Sequence, residues 1–193
     1  MTAERTADRI ASAARAILLA EGAAAVSMRR VAEAAGITPM AIYTHFPNRD
    51  ALLREVAEAT FAELATSWGR RGEQGGWEER LFGQLQDFLD FALGQPHLYA
   101  FLLTEQRAQA RRFPEDFRDG GSPIFTPAAQ ALEQGMREGA LRRDDPLEMA
   151  LTLTAQTQGL VQLYLGGRIG LSEQEFRALC ERTGRRVLDG LRA

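Results

Sequence analysis

The chain has no lysine. All 23 of its Lys/Arg-type cations are arginine, set against 26 acids, which leaves a net charge of −3 and a pI near 5.5. No global basic field therefore advertises a nucleic-acid partner. Cysteine occurs once, at Cys180, which excludes an intramolecular disulfide and fits a reducing cytoplasm. Histidine occurs twice, at His45 and His97, and no Glu-x-x-His pair is present. Metal-ion or nucleophilic chemistry has too few participants, so the reading is that the chain is not an enzyme and holds no metal or cofactor. The first residues are charged and lack the apolar core of a signal peptide. Met149 to Gly167 carries no charge, but Thr152, Thr154, Gln156, Thr157, Gln158 and Gln162 make it too polar to span a membrane. At 45% hydrophobic and 25% charged, these 193 residues suit an ordinary soluble, cytoplasmic protein of one large domain or two small ones.

What is present centres on Ser27 to Asp50, SMRRVAEAAGITPMAIYTHFPNRD. Ser27 is placed to cap a helix, although Arg30 stands where a capping box would have Glu. Val31, Ala32 and Ala35 follow at helical spacing. Gly36 falls where the helix must stop and the backbone needs a positive φ. Thr38 is a second N-cap, and Pro39 takes the first helical position, where its missing N–H costs nothing. The helix so begun, Pro39 to Phe46, turns Ile42 and Phe46 inward and leaves Met40, Ala41, Tyr43, Thr44 and His45 outward. Two helices packed across a glycine turn form a helix-turn-helix, whose second helix enters a DNA major groove.

This stretch resembles the DNA-binding domain of the tetracycline-repressor (TetR) family. The residues that carry the likeness are Val31-Ala32, Ala35-Gly36-Ile37-Thr38, Ile42-Tyr43, His45-Phe46, Asn48-Arg49 and Leu52-Leu53, within a match from about Asp8 to Glu55. Where the family commonly has Lys, this chain has Arg49. The resemblance implies double-stranded DNA as partner, with Arg29, Thr38, Met40 and Thr44 at base edges, Pro39 opening the recognition helix, and Tyr43, His45 and Arg49 on the backbone. One departure stands out. Met1 to Asp50 holds six arginines and five acids, so the segment is scarcely basic.

Taken in order, Ala3 to Glu21 reads as an amphipathic helix with Ile10, Ala14, Ile17 and Leu18 as its stripe. Arg5 and Arg9 either reach DNA or sit on a solvated face. Arg49 or Asp50 opens a long helix to about Trp68, and Gly69 to Gly76 is read as a flexible connection. Helices follow over Trp77–Gly94, His97–Glu105 and Phe125–Gly139, with a mixed polar stretch, Gln106 to Ser122, between the last two. Phe88, Phe91, Tyr99 and Phe101 line an apolar pocket or form plain core. Asp145 caps a helix from Pro146 to Gly166 whose sides are all apolar or uncharged, and Ser172 to Arg192 is the last helix. Apolar surface left over on this pair marks an interface, and the resemblance implies a four-helix homodimer bundle there. Gln156, Gln158 and Gln162 face either that interface or a ligand cavity, and Gln158 is a ligand-binding candidate. Cys180 packs as a small hydrophobe or serves as a thiol sensor.

The expectation is thus an all-α protein: a three-helix helix-turn-helix DNA-binding domain over 1–50, and a helical-bundle ligand-binding and dimerisation domain over 51–193. By the resemblance it is a repressor that binds a palindromic operator as a homodimer and is released by a small-molecule effector. The near-neutral N-terminal segment keeps open a rival, a dimeric ligand-binding module of the same fold acting through a protein partner. A helical-bundle enzyme is the other alternative.

Overall fold

The computed structural model describes residues 6–71, 75–107, 110–120, 122 and 125–193. Among the described residues the regular elements are helical: α1 (Thr6–Glu21), α2 (Met28–Ala34), α3 (Pro39–Ile42), α4 (Arg49–Arg71), α5 (Trp77–Gly94), α6 (Pro96–Tyr99), α7 (Thr126–Arg137), α8 (Pro146–Leu165) and α9 (Glu173–Asp189). An antiparallel bridge, Leu141 to Arg192, is the extent of strand-type pairing among them. None of the helices is long and apolar enough to cross a membrane. The all-α fold is the one expected. Arg5 lies outside the described residues, as do positions 72–74 of the expected flexible connection; α4 itself continues to Arg71.

The chain folds as two compact units that do not follow chain order. The first comprises residues 1–62 and 95–110, the second 63–94 and 111–193. In the first, α1 presents Ile10, Ala14 and Leu18, spaced four apart and fully buried, while Ile17 at the margin is half-buried. Val31 and Ala32 of α2, Ile42 of α3, Phe46, and Leu52, Leu53, Val56 and Ala57 of α4 supply the rest of this core. Helix α6 packs on α1 and carries Leu98 and Tyr99 into the interior; the chain then continues through a π-helical turn, Ala100–Thr104.

In the second unit, Trp77, Leu132, Leu141, Met149, Ala150, Leu153 and Leu188 anchor one apolar cluster drawn from α5, α7, α8 and α9. Each of the last two helices starts on a cap. The Asp145 carboxylate accepts from the N–H groups of Leu147 (2.8 Å) and Glu148 (3.4 Å). At α9 the cap is reciprocal: Ser172 Oγ accepts from the Glu175 N–H, and the Glu175 carboxylate accepts from the Ser172 N–H at 2.9 Å. Ser172, through its hydroxyl first and its amide second, holds the Glu175 carboxyl below its ordinary pKa. The polar stretch before α7 forms a short 3-10 helix, Glu115–Gly120.

Candidate nucleic-acid interface

The helix-turn-helix is built by three local devices. Ser27 Oγ accepts from the Arg30 N–H at 3.3 Å and so starts α2. Gly36 adopts φ 67°, which an L side chain resists, and turns the chain between the helices. Thr38 Oγ1 accepts from the Ala41 N–H at 3.2 Å, with Pro39 at the first helical position of α3.

Helix α3 is shorter than its sequence suggests. It ends at Ile42, and Tyr43, Thr44 and His45 continue it through tighter bonds to the carbonyls three residues back, at 3.1–3.3 Å. Thr44 Oγ1 donates to the Ala41 carbonyl at 2.7 Å, which competes with ordinary helix propagation. The turn still carries Phe46 inward: its N–H bonds to the Ile42 carbonyl and its ring is buried.

The outward set follows from that register. Met40 is 78% exposed and Tyr43 50%, and Thr38, Pro39, Thr44 and His45 are also exposed. Met40, Tyr43 and Thr44 are three and four apart and share a face. An exposed methionine that prominent, on a four-residue helix, offers a soft apolar contact of the kind that suits a thymine methyl.

The arginines divide by role. Arg49 Nε donates to the Val26 carbonyl at 2.8 Å and its Nη2 to the Ala23 carbonyl at 2.5 Å. Arg9 Nη2 donates to the Ala35 carbonyl at 2.6 Å. Arg30 grips Glu21 at 2.6 Å and also the Ala25 carbonyl; its hydrogen bond lowers the Glu21 pKa. These three side chains tie together the loops around the motif. Arg29 is different: it is exposed, and among the described residues it has no partner. Sequence spacing could not separate these cases, because a guanidinium reaching 26 positions away to a carbonyl leaves no periodic signature.

The expected ligand residues fall in both units. Phe88 and Phe91 of α5 meet the edge of Trp68, at 6.4 and 6.2 Å between ring centroids, within the second unit. Gln158 of α8 is half-buried there. Tyr99 and Phe101 belong to the first unit, where both are buried and Phe101 lies 5.1 Å from the Arg107 guanidinium. Gln156 is now distinguished from its neighbours: its amide oxygen is buried, whereas Gln162 is exposed. Missed altogether were Gln84 and Asp87, polar residues on the inward side of α5; a polar residue interrupting an apolar stripe is an ambiguous signal.

An all-α chain with a capped helix pair, a glycine turn and an exposed second helix defines a helix-turn-helix DNA-binding protein. The profile of bacterial regulatory proteins of the tetR family matches residues 10–56, and that of the tetracyclin repressor-like C-terminal domain matches residues 81–187. The chain belongs to the TetR family and is a DNA-binding transcription regulator, not an enzyme. No curated protein matches it. Among solved structures, it is similar to a protein of unknown function from Rhodococcus sp. RHA1, at 21% identity and TM-score 0.79, covering 100% of this chain and 97% of that one. A TetR-family transcriptional regulator from Pectobacterium atrosepticum shares the fold at 21% identity and TM-score 0.72, over 97% and 94% of the chains. So does the fatty acid degradation regulator FadR from Bacillus halodurans, at 14% identity and TM-score 0.71, over 97% of each.

Proposed function

We propose that this regulator is a repressor that binds a palindromic operator as a homodimer and releases it when a small molecule enters the C-terminal part of the chain. The observation that carries the reading is the exposed face of α3 and its following turn, Met40, Tyr43, Thr44 and His45, together with Arg29, exposed on α2. In the functional division, residues 1–50 bind DNA and residues 51–193 bind the ligand and dimerise. Thr38, Pro39, Met40, Thr44 and Arg29 lie at base edges; Tyr43 and His45 meet phosphates. Arg49 contributes mainly through its charge, since Nε and Nη2 are spent on carbonyls and Nη1 lies 3.9 Å from the Asp50 carboxylate.

Dimerisation is supported by α8. Leu151, Ala155, Gly159 and Leu163 recur every four residues on its exposed side, and Leu151 and Leu163 are 37% and 44% exposed. A two-fold pair of such helices presents two recognition helices to successive major grooves. Ligand binding that alters their spacing weakens simultaneous engagement, and a coupling of about 1–3 kcal/mol suffices for regulation. Phe88, Phe91 and Gln158, which lie within the second unit, are the proposed ligand contacts; Tyr99 and Phe101 belong to the core of the first unit.

Selection of randomised duplex DNA on the purified protein, with sequencing of the retained pool, tests the reading. An enriched inverted repeat is expected. A pool that stays random at low salt overturns it in favour of the module acting through a protein partner.

A further inference from the structure

Ion pairs and ring contacts set the helices of the second unit in register. Along α5 and α9, Glu78 pairs with Arg185 and Arg192, Phe82 lies 4.2 Å beneath Arg185, and Asp90 pairs with Arg177 at 2.7 Å. The two helices are therefore antiparallel. Tyr164 of α8 stacks on Phe176 of α9 at 4.1 Å, while Leu153 and Leu188 share the apolar cluster with Trp77. So α8 also opposes α9 and runs in step with α5. Helix α7 opposes α5, because Arg80 bonds Gln134 and the Trp77 ring lies against Gly135. Thr126 is nine residues before Gly135, about 13 Å along the helix. That places Thr126 at the level of Gln84 to Asp87 on α5, and Gln156 of α8 stands at the same level.

This level is polar inside. Gln84 Oε1, Gln156 Oε1 and Thr126 Oγ1 are buried and have no hydrogen-bond partner among the described residues, and one turn away Arg80 Nε is in the same condition. Buried polar atoms are nearly always satisfied in native proteins, since leaving one unpaired is costly. Three from three different helices at one level are not a packing accident of one side chain. Asp87 is also buried here, so the level carries Asp87 and Arg80 with opposite formal charge. On the same face of α5, Phe88 and Phe91 add an aromatic wall against Trp68.

We propose that the effector bound by this chain is a neutral molecule with N–H or O–H donors on an apolar body, its donors received by Gln84, Gln156 and Thr126. The orphaned atoms set the class: two are carbonyl oxygens and one a hydroxyl that accepts as readily as it donates. The balance of Asp87 and Arg80 removes any preference for net ligand charge. The inference rests on the ligand-responsive reading above and specifies its chemistry.

Thermal unfolding of the full chain with matched probes tests it: benzamide against N,N-dimethylbenzamide, and phenol against anisole. The donor-bearing member of each pair is expected to raise Tm with concentration, and its methylated partner is not. Gln84→Met and Gln156→Met, made separately, are expected to raise the Tm of the unliganded protein and to abolish the probe response, with circular dichroism confirming retained helix. Equal shifts from both members of each pair, or no shift from either, overturn the proposal. So does a glutamine-to-methionine pair that responds as before. The two readings fail separately: an enriched operator without any donor-specific shift removes this inference alone, whereas a donor-specific shift without DNA enrichment removes the regulator reading.

Discussion

Arg9 Nη2 donates to the carbonyl of Ala35 at 2.6 Å, across 26 positions of sequence, where α2 ends and the glycine turn begins. The last carbonyls of a helix lack partners within it, and a guanidinium is suited to donate to them. With Arg49 on the Val26 and Ala23 carbonyls, it fixes α2 at both ends. Arg9→Ala is expected to lower stability by about 1–2 kcal/mol and Arg49→Ala by about 2–3 kcal/mol, as charged hydrogen bonds are lost. Urea unfolding of the two variants checks the order. Equal stability in Arg49→Ala and the parent would show that its bonds carry no weight in solution.

Arg29→Ala should behave oppositely. Its side chain is exposed and without a partner among the described residues, so unfolding is expected to be unchanged while DNA affinity falls. As a base-edge contact it should cost about 1–3 kcal/mol per half-site and relax the preference at one operator position, leaving the salt slope nearly unchanged. Repeating the duplex selection with the variant measures it; an unrelaxed pool together with a slope shallower by roughly 2 would assign Arg29 to phosphate instead.

Glycine 135 is a packing residue. A Cβ there would sit 2.8 Å from Leu141 Cδ1 and 2.9 Å from the Trp77 ring, whereas one at Gly83 meets nothing within 4 Å. Alanine gains about 1 kcal/mol of helix propensity at either site. At Gly135 overpacking costs about 1–3 kcal/mol against that gain. Gly83→Ala is therefore expected to raise Tm and Gly135→Ala to lower it, read side by side in one thermal scan.

The exposed stripe on α8 predicts assembly. Gly159→Arg introduces a bulky charge among Leu151, Ala155 and Leu163, and sedimentation is expected to find a monomer with native helix content. Operator affinity should fall with it. A dimer of undiminished stability would move the interface elsewhere.

Burial raises the Cys180 thiol from 9.0 to about 11. The folded chain then holds this proton more tightly than the unfolded one, so the stability it contributes is complete below pH 9 and is lost as pH rises through about 11. Denaturation at pH 8 to 11 is expected to show that decline, flattened in Cys180→Ala. At pH 8 the native thiol should resist a disulfide reagent that labels it at once in urea; rapid native labelling would argue for the sensor role instead of packing.

The caps at Ser27, Thr38 and Asp145, the turn at Gly36 and the inward pairing of Ile42 with Phe46 were all legible in the sequence, because each is set by neighbours within four residues; the reciprocal cap of Ser172 with Glu175 emerges from the structure. The outward set on α3 was legible for the same reason. What escaped was long-range. That Arg49 faces two carbonyls near residue 25, or that residues 95–110 pack with the N-terminal helices, depends on where the chain returns in space. Gln84 and Asp87 carry no such local signal, because a polar residue interrupting an apolar stripe looks the same in sequence whether it faces solvent or the interior.

The hydrogen-bonded arginines bear on the field around the motif. Arg9 and Arg49 donate to neutral carbonyls and keep their positive charge, whereas Arg30 is paired with Glu21. A charge already held in place has little rotamer freedom left to lose when an anionic partner arrives, so what Arg9 and Arg49 add to that field comes without a further ordering cost.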